Sequence, residues 1–308
     1  MGPPLPQCDA GRTARCAAKF FDPAFSTGSN CPSWFWLYDY MEEASGPFVA
    51  VDVGCNRGFT SAKLFGTMAP ELGVTPETAY AFGSVAFSGI EWLPRDYGCG
   101  ACGDCTERPR PAGARPVTVH CVEASDNHYA RLVATKNALM RDGNGSHAWH
   151  LHRIAMTDAP RTAVRFKDDG CGELCAIGLP GATSVVLAMN VDALVESLNV
   201  RRAALLKVDT EGNDPAVLAG ARQSLKDGVF DMVTFEHHEV GLWSSTQLLD
   251  VVTSLAKHEY ACFYDGKDQL FRLTGCYNAR WNEKRWTNVV CVHARMKRTT
   301  AAMLEKTC

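Results

Sequence analysis

The stretch Phe48-Val-Ala-Val-Asp-Val-Gly-Cys-Asn-Arg-Gly58 decides the fold. An apolar β run reaches Asp52 and then breaks into a turn with glycine at 54 and 58. A parallel strand that stops at a carboxylate and a glycine-bearing turn, followed by a helix read over 57–68, opens a crevice where bare backbone can approach a ligand. That arrangement suits a nucleoside cofactor, and the positions of the acids decide which one.

A dinucleotide fingerprint reads G-x-G-x-x-G and leaves the helix N-terminus clear for a pyrophosphate. Here the turn reads G-x-N-x-G, and Asp52 stands just before it, where it would repel an anion. A nicotinamide-dependent oxidoreductase is therefore disfavoured. A ligand that carries an ammonium and a sulfonium is welcome beside that carboxylate, and S-adenosylmethionine is such a ligand. The next apolar run, Val117-Thr-Val-His-Cys-Val-Glu123, ends in a second acid that can accept both ribose hydroxyls.

Composition narrows the partners. With 31 Lys plus Arg against 34 Asp plus Glu, the 308-residue chain has no global basic field to hold a phosphate backbone, so nucleic acid is not expected. No apolar stretch approaches the roughly 20 residues of a spanning helix, and Met1-Gly-Pro-Pro-Leu-Pro6 lacks the basic and apolar regions of a signal peptide. Fourteen cysteines pull toward an oxidising compartment, and Asn144-Gly-Ser146 is a glycosylation sequon that also reads as a polar turn. Compartment and oligomeric state are left open by the sequence.

Working outward, residues 1–46 read as an irregular lead ending in a short helix, and 69–115 as a Cys/Gly/Pro-rich insertion without clean periodicity. Strands are expected at 48–53, 117–123, 148–155, 203–209 and 230–236. They alternate with helices at 125–139, 191–198, 214–226 and 244–257, and a hairpin-like segment lies near 162–166. Further strands near 259–264, 269–274 and 287–293 close the set. The expectation is an α/β, doubly wound, mostly parallel seven-stranded sheet with helices on both faces and an antiparallel terminal strand. One main domain, 47–295, would carry the insertion, and 296–308 would form a C-terminal tail.

The chain resembles the FkbM-type branch of the class I S-adenosylmethionine-dependent methyltransferases. The resemblance rests on Val51-Asp-Val-Gly-Cys-Asn-Arg-Gly-Phe-Thr60, Val119-His-Cys-Val-Glu123-Ala, Ile154-Ala-Met-Thr-Asp158 and, most specifically, Leu205-Leu-Lys-Val-Asp-Thr-Glu-Gly-Asn-Asp-Pro-Ala-Val-Leu-Ala-Gly220. It spans about 48–240 with one interruption. It implies a cofactor site of Asp52, Gly54, Asn56, Gly58, Glu123 and Asp158, with Asp52 toward the methionine end, Glu123 on the ribose and Asp158 near the adenine. Methyl transfer from a sulfonium is an in-line displacement, so the protein must position the acceptor and remove its proton. Asp209 is the first candidate base, with Glu211, His237 and His238 behind it; the plain alternative for Glu211 is an acid set against a helix dipole. Oxygen of a sugar or other hydroxylated small molecule, or of a glycan, is the acceptor that the resemblance implies.

Two other readings stay beside this one. A catalytically silent nucleoside-binding or scaffolding protein would keep the same fold. Glu236-His-His-Glu239 could join Asp209 and Glu211 around a divalent cation, although adjacent histidines on a strand face opposite ways and a metal-free acceptor pocket is expected. Cys99, Cys102 and Cys105, with Cys121, are weak candidates for a structural zinc, against disulfides or free thiols.

Overall fold

The computed structural model describes residues 7–21, 34–85, 106, 108–140, 145–168, 175–178, 180–182, 184–266 and 269–308. In chain order the helices and strands are α1 (Ala10–Phe20), α2 (Phe35–Glu43), β1 (Phe48–Val53), α3 (Phe59–Met68), α4 (Pro76–Val85), β2 (Val117–Val122), α5 (Asp126–Leu139) and β3 (Ala148–His152). They continue with β4 (Ala155–Met156), β5 (Arg161–Phe166), β6 (Ser184–Met189), α6 (Val191–Ser197), β7 (Ala203–Val208), α7 (Asp214–Ala219) and α8 (Arg222–Lys226). The chain closes with β8 (Phe230–His237), α9 (Leu248–Lys257), β9 (Tyr260–Asp265), β10 (Leu270–Arg272), β11 (Thr287–His293) and α10 (Lys297–Glu305).

The main sheet has the order β10-β9-β11-β8-β7-β1-β2-β3. β3, β2, β1, β7 and β8 are parallel neighbours, while β11 runs antiparallel between β8 and β9. The sheet has eight strands where seven were expected, because the short strand read near 269–274 is present as β10 and joins the edge by turning back on β9. Every residue of β7 is buried, as an apolar strand covered on both faces requires. Side-chain alternation splits the interior in two: Val51, Val53, Leu206 and Val208 face one helical layer, whereas Phe48, Ala50 and Leu205 face the other. The strand order reverses between β1 and β7, and that switch point opens a crevice at the carboxyl ends of the strands.

Several segments are more regular than the sequence suggests. The lead contains a further helix, α1, whose N-cap Asp9 accepts from the Arg12 N–H at 2.8 Å. Residues 297–305 of the tail form α10, held to α2 by Glu43, which accepts from both the N–H and the hydroxyl of Thr299 at 2.7 Å. Disulfides Cys8–Cys276 and Cys16–Cys308 tie α1 to the end of the chain and to the loop after β10. Within the Cys/Gly/Pro-rich stretch, α4 is helical and 112–115 run along α3 through Ala112 N–H to Thr67 and Arg115 N–H to Met68. Cys99, Cys102, Cys105 and Asn144 lie outside the described residues. The helix read over 214–226 breaks into α7 and α8 where Gly220 packs so closely on the Thr157 carbonyl that a Cβ would overlap it. The strand read over 148–155 stops at His152, and β4 joins β6 and β5 in a separate three-stranded sheet. Among the described residues no helix is long and apolar enough to cross a membrane.

Candidate active site

The turn after β1 is built from left-handed backbone. Gly54, Asn56 and Gly58 have φ of 71°, 49° and 82°, so two of the three positions fall to the residue that adopts this conformation at no steric cost. Gly54 meets a second demand, since a Cβ there would overlap the carbonyl of Asp209 at the end of β7. The turn is fastened to β2 by Gly54 and Cys55 N–H groups donating to Val122 at 2.9 and 3.2 Å, and by Asn56 N–H donating to Glu123 Oε2 at 2.8 Å. Glu123 Oε1 accepts from Ser125 N–H at 2.8 Å, which fixes the carboxylate between the two loops. Burial pushes Glu123 up to about 7, against the pull of those N–H groups and of Lys207.

This turn forms one wall of an open cavity that encloses about 560 Å³ when its mouth is counted. Gly54, Asn56 and Glu123 lie along one side, Asp209, Thr210 and Glu211 along another, and Ala155, Met156, Phe166 and Ile177 supply an apolar flank. Asn56 Oδ1 is buried there without a hydrogen-bond partner among the described residues. Glu211 also takes a left-handed φ, 52°, and leads into Gly212 at 98°, where a Cβ would press on the Val240 carbonyl at 2.5 Å. A non-glycine residue held in that region marks a place where the fold over-determines the backbone, as it does at working sites.

Behind the Asp209 wall lies a dense set of charges. Buried Lys207 approaches Asp52 Oδ1 at 3.3 Å and Asp209 Oδ2 at 3.1 Å, and donates to the Gly54 carbonyl at 3.0 Å. Burial opposes its charge, but Asp209 and Asp52 outweigh burial and hold it above the ordinary lysine range. Asp214 is pushed up to about 7 by burial and by Asp209, and Glu236 is raised well above the ordinary range by burial and by Asp209, Glu211 and Asp214. Glu236 Oε2 accepts from Trp286 Nε1–H at 2.9 Å. His238 stacks on Trp286 with its Nδ1 accepting from Val240 N–H at 3.1 Å, so the neutral ring carries its proton on Nε2, 3.8 Å from Glu236 Oε2. Burial depresses His238 to about 4.

The methyltransferase FkbM domain family matches residues 101–262 of the 308, just over half of the chain. The chain belongs to the FkbM methyltransferase family. The match begins upstream of β2, so the glycine turn at 54–58 lies N-terminal to it. No curated protein matches the chain. Among solved structures, a Legionella pneumophila protein is 8% identical, covering 91% of this chain and 94% of that one at a TM-score of 0.35. An uncharacterized Burkholderia thailandensis protein is 12% identical, covering 99% and 79% at 0.22. A further Burkholderia thailandensis protein, bound to S-adenosyl-homocysteine, is 13% identical, covering 99% and 80% at 0.18. At these TM-scores none of the three likenesses adds to the fold described above.

The FkbM cofactor is S-adenosylmethionine, and the cavity's groups fit it: a buried carboxylate that can accept from hydroxyls, the Asn56 Oδ1 acceptor without a partner among the described residues, bare backbone at Gly54 and an apolar flank. Of the residues expected from sequence, Gly54, Asn56, Glu123, Asp209 and Glu211 line it together. Asp52 does not: it is buried behind the turn, where Ser61 donates to Oδ2 at 2.7 Å and Lys207 faces Oδ1. Gly58 caps α3 with Leu132 and Trp149 directly behind it. Asp158 is exposed and outside the lining.

His237 is fully buried in the core instead, bonded through Nδ1 to the Tyr264 hydroxyl at 2.8 Å and set against Trp243, because strand alternation turns it away from Glu236 and His238. Cys121 is disulfide-bonded to Cys55 and so is no zinc ligand. Among the described residues no group of three or more His, Cys, Asp or Glu is placed to hold a metal ion. Phe166, Ile177 and His128, which are also in the lining, carried no sequence signal beyond ordinary apolar or helical spacing, whereas Met156 belongs to the Ile154–Asp158 motif.

Proposed function

We propose that this FkbM methyltransferase moves the methyl group of S-adenosylmethionine to an oxygen of a small hydroxylated acceptor, such as a sugar, and that Asp209 takes the acceptor's proton. The observation that carries this reading is one cavity joining the Glu123–Asn56 wall to the Asp209–Glu211 wall. Bound there, the cofactor supplies an electrophilic methyl on a sulfonium. Glu123 is the acceptor for two ribose hydroxyls, and the Gly54 backbone admits close approach. Lys207 fixes Asp209 through Oδ2, and the Asp209 side chain, about one-third exposed, meets the cavity. Asp209 and Glu211 line the cavity, and the nearby cation Lys207 is already engaged by Asp52 and Asp209, which favours an uncharged hydroxyl acceptor over an anionic one. The disulfides among the described residues suit an oxidising compartment, where glycan and sugar acceptors are at hand.

Transfer of labelled methyl from cofactor to a panel of sugars and polyols tests the reading, with Asp209→Asn as the partner variant. The amide keeps the shape but cannot take a proton, so transfer should fall at least about 100-fold while cofactor affinity stays within about threefold. An Asp209→Asn protein that turns over at the parental rate would move the base elsewhere.

A further inference from the structure

The Cys55–Cys121 disulfide lies under the cofactor turn and touches no part of the cavity. Cys55 is the middle of Gly54-Cys55-Asn56, and its two neighbours both line the cavity while Cys55 faces away from it. Both cysteines are buried, in the apolar cluster that holds Phe65, Leu132 and Trp149. Three residues of this short turn sit in left-handed backbone, a conformation that the free chain does not favour for Asn56. Hydrogen bonds from Gly54, Cys55 and Asn56 to Val122 and Glu123 hold the turn, and each is one that water can replace once the turn lifts. The disulfide is the covalent link between the same turn and the same strand, spanning a sequence separation of 66.

We infer that the Cys55–Cys121 bridge positions the cofactor turn, so that affinity for the nucleoside cofactor is coupled to the oxidation state of this one bond. The inference rests on the proposed function, since it takes the cavity to be the cofactor site. Reduction by a dithiol adds two electrons and two protons to the bridge, gives the Cys55 and Cys121 thiols, and leaves the dithiol as its own disulfide. The turn is then tied to β2 by hydrogen bonds alone, and Asn56 and Glu123 lose their fixed spacing. By linkage the effect is reciprocal: a ligand that needs the ordered turn makes the bridge harder to reduce by the same factor.

Two measurements on the full chain test this. S-adenosylhomocysteine is titrated calorimetrically into the parent, into Cys55→Ala/Cys121→Ala and into Cys8→Ala/Cys276→Ala, with circular dichroism and melting as the check on folding. The first double variant should bind at least tenfold more weakly than the parent, and the second, remote from the cavity, within twofold. Separately, the parent is equilibrated in dithiothreitol buffers of graded potential with and without S-adenosylhomocysteine, and Cys55 and Cys121 are followed by differential alkylation and mass spectrometry. The nucleoside should shift the dithiol-to-disulfide ratio of this pair at least tenfold toward the disulfide and leave Cys8–Cys276 unmoved. Equal affinity in a folded Cys55→Ala/Cys121→Ala protein overturns the inference. If that variant does not fold, an unshifted alkylation profile in the parent overturns it instead. A parent that binds no S-adenosylhomocysteine would bring down the proposed function first, and the inference with it.

Discussion

The two ends of the crevice hold their acids by different means. Beside β1 and β2, Glu123 is fixed by backbone, with one N–H from Asn56 and one from Ser125 on its two oxygens. Beside β7 and β8, Asp209, Glu211, Asp214 and Glu236 face one another, and their charge is moderated by buried Lys207, which also reaches back to Asp52 and Gly54. The first end is a rigid acceptor of hydrogen bonds. The second is an electrostatic cluster in which burial and neighbouring acids hold the carboxyls of Asp214 and Glu236 above their ordinary range. Lys207 is the piece that joins them, so the comparison breaks most easily there.

Lys207→Met should have the largest effect. It leaves Asp52 buried without its cation and frees Asp209, and removing one partner of such a pair costs about 3 to 5 kcal/mol. Chemical denaturation should show that loss, and a melt within a degree of the parent would mean that the lysine is incidental. Next comes Gly54→Ala, where a methyl would overlap the Asp209 carbonyl at a φ of 71°. Displacing that approach should cost on the order of 1 to 3 kcal/mol in stability and abolish measurable cofactor binding at micromolar concentration. A Gly54→Ala protein with parental affinity would show that the β1 turn and β7 end are not held together as described.

The difference between the two ends also explains what could be read without coordinates. The β1 end follows from local grammar: an apolar run, an acid and two glycines fix a turn, and the next strand end supplies Glu123. The parallel core followed from the same alternation of runs. The β7–β8 end depends on which way side chains point, and His237 and His238 are adjacent in sequence but lie on opposite faces of the sheet, one in the core with Tyr264 and one against Trp286. Asp52 likewise looks like a ligand in sequence, yet its oxygens are taken by Ser61 and Lys207, because that distant lysine lies beside it only once β1 and β7 are paired. Disulfide partners were equally illegible: Cys262 and Cys291 are opposite each other across β9 and β11, a fact of register and not of spacing.

The smallest expected effect falls on the most central residue. Burial raises Glu123 to about 7, so at lower pH the free protein carries a proton that two ribose hydroxyls must displace. The carboxylate form is fully present well above pH 7 and is lost as pH falls through it, so binding should weaken on acidification and release protons. Calorimetric titration of S-adenosylhomocysteine at pH 8 and pH 6, into the parent and into Glu123→Gln, is the direct measurement. The parent should bind one equivalent, about tenfold more weakly at pH 6 than at pH 8, and Glu123→Gln should bind about tenfold more weakly than the parent at pH 8, roughly 1.4 kcal/mol, with most of the pH dependence gone. A parent that does not bind, or a Glu123→Gln protein with parental affinity and the parental pH profile, would contradict the assignment of this cavity to the cofactor.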